Sequence, residues 1–336
     1  MTTNGNHDAI DTSRPSATYT PSGPRPYTLS VALPGSLIHN AKSKVLLRTA
    51  LAGDIARALA VFCVDEVVIF DDADSNPEES RNSPRPDNTK LTAISHPGHF
   101  LQYILSYMET PPFMRKRLFP MHENLQHAGV LPSLDIPSHL RATEWCEYRE
   151  GTTTRSSKEG TYVDCGLNGQ RLVRGVEIPP NTRVTLRLES ENGNEAEAVD
   201  PTTPRVEGGY YWGYDVREAA SLSAVFTECG FEGGYDLSIG TSERGDEVGG
   251  VVAGIVADDQ RKHWTHMVVV IGGVKGLEEA AKNDDELVRM GISKGNVKEL
   301  FDHWVNLLPG QGSRTIRTEE ALWMSLMATR RLVDER

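Results

Sequence analysis

The 336-residue sequence predicts an α/β fold: a mostly parallel sheet flanked by helices and interrupted by a small β-rich insert. Three observations carry that prediction. "YTLSVAL" stops at Pro34 and Gly35, an apolar-periodic helix follows, and "EVVIFDD" comes directly after it, which is a β-α-β unit. Between residues 146 and 205 the pattern turns into short alternating segments bounded by turn residues. After residue 206 the strand-turn-helix texture returns and continues to the last helix.

Residues 1–26 are rich in Ser, Thr, Pro, Gly and Asn, bury too little apolar area to offset ordering, and are expected to be a disordered tail. The first part of the α/β domain spans 27–145. Asn40 stands at the N-cap position of a helix over 41–62, where Val45, Leu46, Ile55, Leu59 and Phe62 fall on helical spacing. Residues 73–95 are polar, proline-bearing and aperiodic, as expected of a mobile surface loop. Phe100, Leu101, Ile104, Leu105 and Met108 then make one helical face, which Pro111 and Pro112 end.

In the insert, 146–205, Asn168-Gly169 is a hairpin-turn dipeptide, and Val184, Leu186 and Leu188 alternate with Arg183, Thr185 and Arg187. A barrel-like module explains this texture. Its Arg171, Arg174, Arg183 and Arg187 are candidate nucleic-acid contacts, although arginines alternating on a strand equally make its solvated face. The second α/β part, 206–336, reads as an amphipathic helix in "REAASLSAVFTECGF", a strand entering a loop in "YDLSIGTSERG", and a strand, turn and helix in "THMVVVIGGVKGLEEA". A last strand, the loop "LPGQGSRT" and a final helix close it. Thr318 is the expected N-cap of that helix, with Glu319 and Glu320 in a first turn where carboxylates favour the helix dipole.

A hydrophobic share of 38% and a charged share of 24% indicate a globular protein able to build a core. The net charge of -12 argues against coating nucleic acid by bulk charge, yet local clusters remain at Arg115, Lys116 and Arg117, at Lys42, Lys44 and Arg48, and at Arg330 and Arg331. Cys63, Cys146, Cys165 and Cys229 lie far apart, and His39, His263, His266 and His303 lack ligand spacing, so no metal site is expected. The N-terminus has no apolar signal core and no segment is long and apolar enough to span a bilayer. An intracellular protein is the expectation, with nucleus or nucleolus and cytoplasm undistinguished.

Ligands of open α/β sheets bind outside the carboxyl ends of the strands. Three glycine-bearing loops meet that description: "GTSERG" (240–245), "IGGVKG" (271–276) and "LPGQGSRT" (308–315). Glycine lets a backbone approach a ligand closely, but each loop alone is equally an ordinary turn. No dinucleotide fingerprint, P-loop or nucleophile elbow occurs, which disfavours a nicotinamide enzyme, an ATPase of that type and a hydrolase. An adenine and ribose read by main-chain groups suit what remains.

"LSVALPGSLIHNA", "LRTALAGDIARALAVFCVDEVVIFDD", "GYYWGYDVREAASLSAVFTE", "YDLSIGTSERG", "VVVIGGVKGLE" and "LPGQGSRTIRTEEALWMSL" together resemble the SPOUT-class RNA methyltransferases, in the subfamily that includes a human spindle- and centromere-associated member. The resemblance runs from Tyr27 to Leu326. It implies a Rossmann-like sheet with a C-terminal trefoil knot, an OB-like insert that helps to hold RNA, a homodimer, and S-adenosylmethionine as methyl donor, leaving as S-adenosylhomocysteine. It implies cofactor contacts from Thr241, Ser242, Glu243 and Arg244, from Ile271, Gly272 and Gly273, and from Asn306, Leu308, Gly310, Gln311, Gly312, Ser313, Arg314, Thr315 and Ile316. Leu308 and Ile316 would cover the adenine. Asn40, Arg48, Arg244, Arg314 and Arg317 are the candidates for positioning the substrate, an arginine being able to stabilise an anion but poor as a general base. The reaction implied is N3 methylation of uridine in large-subunit ribosomal RNA; the alternative is a non-catalytic RNA-binding or spindle scaffold that keeps the fold.

Overall fold

The computed structural model describes residues 21, 23–41, 44–73, 91–259 and 262–336; residues 1–20 of the expected tail, Lys42 and residues 74–90 of the expected loop lie outside them. In chain order the first part comprises β1 (Thr28–Pro34), a 3-10 turn (Gly35–Asn40), α1 (Val45–Val61), β2 (Glu66–Phe70), α2 (Pro97–Glu109) and α3 (Pro112–Leu118). The insert supplies β3 (Tyr148–Ser157), β4 (Gly160–Asp164), β5 (Arg171–Arg174), β6 (Arg183–Arg187) and β7 (Glu197–Val199), followed by the short α4 (Thr203–Val206). The remainder is β8 (Asp215–Ala219), α5 (Leu222–Thr227), β9 (Leu237–Glu247), α6 (Val248–Ala257), β10 (His266–Val270), α7 (Leu277–Lys282), α8 (Asp285–Arg289), β11 (His303–Asn306) and α9 (Thr318–Asp334).

Six strands form one parallel sheet in the order β11-β9-β10-β1-β2-β8. Both faces are buried, so its central strands are apolar at every second position on each side. Val31, Leu33, Val67, Ile69 and Val269 point into a core with Ile55, Leu59, Leu101, Leu105, Leu322 and Leu326 of α1, α2 and α9. Ala32, Val68, Phe70, Val268 and Val270 face the opposite core with Leu222, Val225, Leu277 and Leu287 of α5, α7 and α8. Among the described residues no helix is long and apolar enough to cross a membrane.

The insert forms a second, antiparallel sheet in the order β5-β4-β3-β6-β7. A bridge between Leu172 and Glu195 brings its two ends together, so the sheet is a nearly closed barrel around Val163, Cys165, Val173, Leu186 and Leu188. Gly169 takes a left-handed φ of 86° in the β4–β5 turn, which suits the Asn-Gly turn read from the sequence.

Several expectations need correction. Asn40 caps nothing: it ends the 3-10 turn, and α1 starts at Val45 after Lys44, without a side-chain cap. Within residues 23–26, Arg25 is anchored rather than disordered, because it pairs with Asp65 and lies over the Tyr27 ring, while Gly23, Pro24 and Pro26 stay exposed. Residues 91 and 93 are likewise buried, with the Leu91 carbonyl accepting from Asn124 Nδ2 at 2.9 Å. "DVREA" is an edge strand, not the start of a helix. Its residues favour helix, but pairing with β2 overrides propensity, and Arg217 reaches Glu66 at 2.8 Å. Ser221 then caps a shorter helix, accepting from the Ala224 N–H.

Candidate functional site

The strand order reverses direction between β10 and β1, since the chain passes from β1 outward to β2 and β8 on one side and builds β9, β10 and β11 on the other. A crevice at such a switch point, outside the carboxyl ends, is where this architecture binds ligands. A cleft of about 380 Å³ lies at these ends, lined by Thr241, Ser242, Glu243 and Arg244 from β9, by residues 271–276 and Glu278 after β10, and by Asn306, Leu307, Gln311, Arg314, Thr315, Ile316 and Ala321 after β11. That volume is within the range of roughly 300–1,000 Å³ usual for small-molecule pockets.

The first wall is not the free loop expected of "GTSERG", because β9 runs on to Glu247. Its pairing with β11 nevertheless jumps from Gly240↔Trp304 to Asp246↔Val305, so residues 241–245 bow out of the ladder and face the cleft. Bulges of this kind re-aim side chains at sites. Asn306 ties the bow to the third wall: its amide donates to the Glu243 carbonyl at 2.8 Å and its Oδ1 accepts from the Leu308 N–H at 3.0 Å. Glycine is required where the second wall turns, since a Cβ on Gly272 would lie 2.7 Å from the Leu277 nitrogen. The Gly272 carbonyl accepts from the Thr318 hydroxyl at 3.2 Å, which latches the final helix to this turn. That use of the hydroxyl explains why Thr318 is not the N-cap: Arg317 is, and Glu320 accepts from its N–H at 2.9 Å.

Leu308 is 47% exposed and lies outside the lining, so the apolar cover comes from Leu307, Ile316 and Ile271. Gly310, Gly312 and Ser313 belong to the same loop but are exposed and do not line the cleft. Arg244 donates to Glu278 at 2.9 Å, and Ser242 donates to the same carboxylate oxygen at 3.0 Å. Glu278 was not a sequence candidate; a lone acid in the first turn of a helix reads as a dipole partner, and only its contacts single it out. Arg314 lines the cleft with no partner among the described residues, while Arg317 is exposed at the start of α9.

Arg48 and Asn40 are not brought to this cleft. Arg48 is buried and donates to the Ala93 carbonyl at 2.5 Å, a structural anchor for the segment before α2. The four arginines of the barrel are committed as well. Arg171 is buried on the Gly169 and Glu191 carbonyls, Arg174 pairs with Glu195, and Arg187 pairs with Glu207 beside the Tyr148 ring. Arg183 bridges Glu109 of α2 and Glu150 of β3, and Glu150 also accepts from Trp212 and Thr185 at 2.7 Å each. An open cation of the barrel is Arg155, exposed at the end of β3 and stacked 4.5 Å from the centroid of Tyr162.

A family model described as putative RNA methyltransferase matches residues 28–329, which covers both sheets and all three walls of the cleft. The chain belongs to this family. As an RNA methyltransferase it is 45% identical over 316 residues to a human 28S rRNA (uridine-N(3))-methyltransferase, covering 90% of this chain and 78% of the relative. It is 41% identical to the Drosophila melanogaster protein of the same name, over 91% of this chain and 62% of that one. An uncharacterised protein of Halobacterium salinarum is 29% identical over 89% of this chain and 97% of its own length.

Proposed function

We propose that this RNA methyltransferase transfers a methyl group from S-adenosylmethionine to N3 of a uridine in large-subunit ribosomal RNA. The observation that carries the reading is the convergence of three glycine-bearing segments on one cleft at the switch point of the sheet, in a chain 41–45% identical to relatives named for that reaction. The cleft suits the donor. A side chain at Gly272 would fill its turn, main-chain groups of residues 272–276 and 241–244 supply directional polar contacts, and Ile271, Leu307 and Ile316 offer a face to an adenine ring. Glu243 and Glu278 place carboxylates where a cationic donor needs them. When bound, that donor supplies an electrophilic methyl group, and the task left to the chain is alignment and control of the uridine charge. Arg314, uncommitted at the rim, would stabilise the developing uridine anion.

The finer architecture belongs to the same reading. A trefoil knot of the SPOUT class would thread segment 307–317 past the turn after β10, and the Thr318 latch on the Gly272 carbonyl supports that path. A homodimer would cover the apolar residues left exposed on α1 and α9, chiefly Leu47, Trp323 and Met327. Arg155 over Tyr162, rather than the four committed barrel arginines, would meet the RNA. Nucleoside analysis of ribosomal RNA from cells lacking the protein tests the reading: N3-methyluridine should fall at one large-subunit position, and an unchanged level at every position would refute it. Calorimetry with S-adenosylmethionine and S-adenosylhomocysteine separates catalysis from a scaffold role, which predicts no binding.

A further inference from the structure

Transfer of a methyl group to N3 of uridine requires that the N3–H proton leave, and none of the arginines can take it. Resting on the N3-uridine reading, the geometry points to Asp72 as the general base. Asp72 follows β2 at its carboxyl end, beside the β1–β10 crevice. Its Oδ2 accepts from the Ser36 hydroxyl at 2.6 Å and its Oδ1 from the Ser36 N–H at 3.2 Å, so residues after β1 fix its orientation. Gly273, which lines the cofactor cleft, completes the arrangement: a Cβ there would lie 3.0 Å from Asp72 Oδ2 and 3.4 Å from Ser36 Oγ. The carboxylate thus sits directly behind Gly273, one residue removed from the cleft lining.

The other acids of the cleft are poorer acceptors. Glu278 is held by Arg244 and Ser242, and Glu243 is largely exposed to water. Asp72 pairs with no cation among the described residues. Burial, with neighbouring Asp71 adding to it, pushes its carboxyl above the usual range, while the Ser36 bonds pull the other way. A raised carboxyl is a better match to proton transfer near neutral pH than an ordinary one. In the step, the N3–H proton passes to a carboxylate oxygen of Asp72 and the N3 electron pair forms the bond to the methyl carbon of the sulfonium donor. The carbon–sulfur pair departs with sulfur, and the proton then leaves Asp72 for solvent.

The test compares wild type with Asp72→Asn, which keeps shape and Ser36 contacts. With a ribosomal RNA fragment, the turnover rate should fall by about 10²- to 10⁴-fold, while calorimetric affinity for S-adenosylhomocysteine stays within twofold. Replacing the target uridine by 5-fluorouridine, whose N3–H is more acidic, should shrink the deficit at least tenfold. In the cofactor-free protein, the carboxyl-¹³C signal lost in Asp72→Asn should titrate above the ordinary aspartate range. An equal deficit on both RNAs, a rate unchanged by the substitution, or an ordinary titration midpoint overturns the assignment. Should wild type itself produce a nucleoside other than N3-methyluridine, it is the N3 reading that fails, before any variant is compared.

Discussion

The arginines of the barrel and those of the cleft are the same residue in opposite circumstances. Arg183 joins the barrel to α2 through Glu109 and Glu150, both buried, and Arg171 is enclosed by main-chain carbonyls. Arg314 lines the cleft, is exposed and carries no comparable load. In the barrel, then, positive charge holds the insert against α2; at the cleft Glu278 holds Arg244, and Arg314 is left free for an anion. An arginine's contribution to RNA chemistry is set by whether a carboxylate has already claimed it.

Removing Arg183 should have the largest effect on stability. Arg183→Leu leaves Glu109 and Glu150 buried without their cation, a loss of about 3–5 kcal/mol, to be read from urea unfolding. A loss below about 1 kcal/mol, the exposed-pair range, would erase the distinction between the two regions. Arg314→Ala should do the reverse. Its kcat/KM should fall about 10- to 100-fold, roughly 1.4–2.8 kcal/mol of transition-state stabilisation, with stability within about 0.5 kcal/mol of wild type. An unfolding midpoint lowered as much as in Arg183→Leu would show that the cleft arginine is structural too.

Asn306→Ala sharpens the comparison on the cleft side. It cuts the clamp between the first and third walls, and cofactor affinity measured by calorimetry should weaken about 5- to 10-fold, the worth of one hydrogen bond. The smallest effect expected is a pH slope from His139 and His266. Burial depresses both below the ordinary histidine value of 6.5, so the native state resists protons that the unfolded chain accepts. Stability is therefore complete above that value and declines as pH falls below it toward the folded-state values. His139, whose Nε2–H donates to the Glu109 carbonyl at 2.6 Å, sits at the same seam as Arg183. The urea midpoint should drop between pH 7 and pH 5, and His139→Gln, which keeps a donor, should flatten the drop.

The parallel sheet was legible because strands buried on both faces are continuous apolar runs, and the helix between β1 and β2 carries Ile55 and Leu59 into the core, although Leu46, read on the same face, is exposed. The three walls of the cleft were legible only together: each glycine-bearing loop alone reads as an ordinary turn, and it is three of them at strand ends that point to a ligand. What eluded the sequence depends on partners far away in the chain. β8 is a strand only because β2 offers it an edge. Leu307 rather than Leu308 covers the cleft because of a turn that Asn306 sets, and neighbouring leucines cannot be told apart by pattern. Glu278 and Asp72 look like any acids on a helix or a turn until Arg244 and Ser36 are placed beside them. Of the arginines alternating along β6, Arg183 finds its counter-charges 33 and 74 residues away and Arg187 finds Glu207 at 20, distances that no local pattern reveals.

The hydroxyl of Thr318 on the Gly272 carbonyl has a consequence for biosynthesis. The third wall and its latch are encoded after every strand of the sheet, so a nascent chain can assemble both hydrophobic cores in large part and still hold no pocket. The cleft is complete only once the C-terminal helix docks, so a truncated product that lacks this helix should be inert rather than partly active.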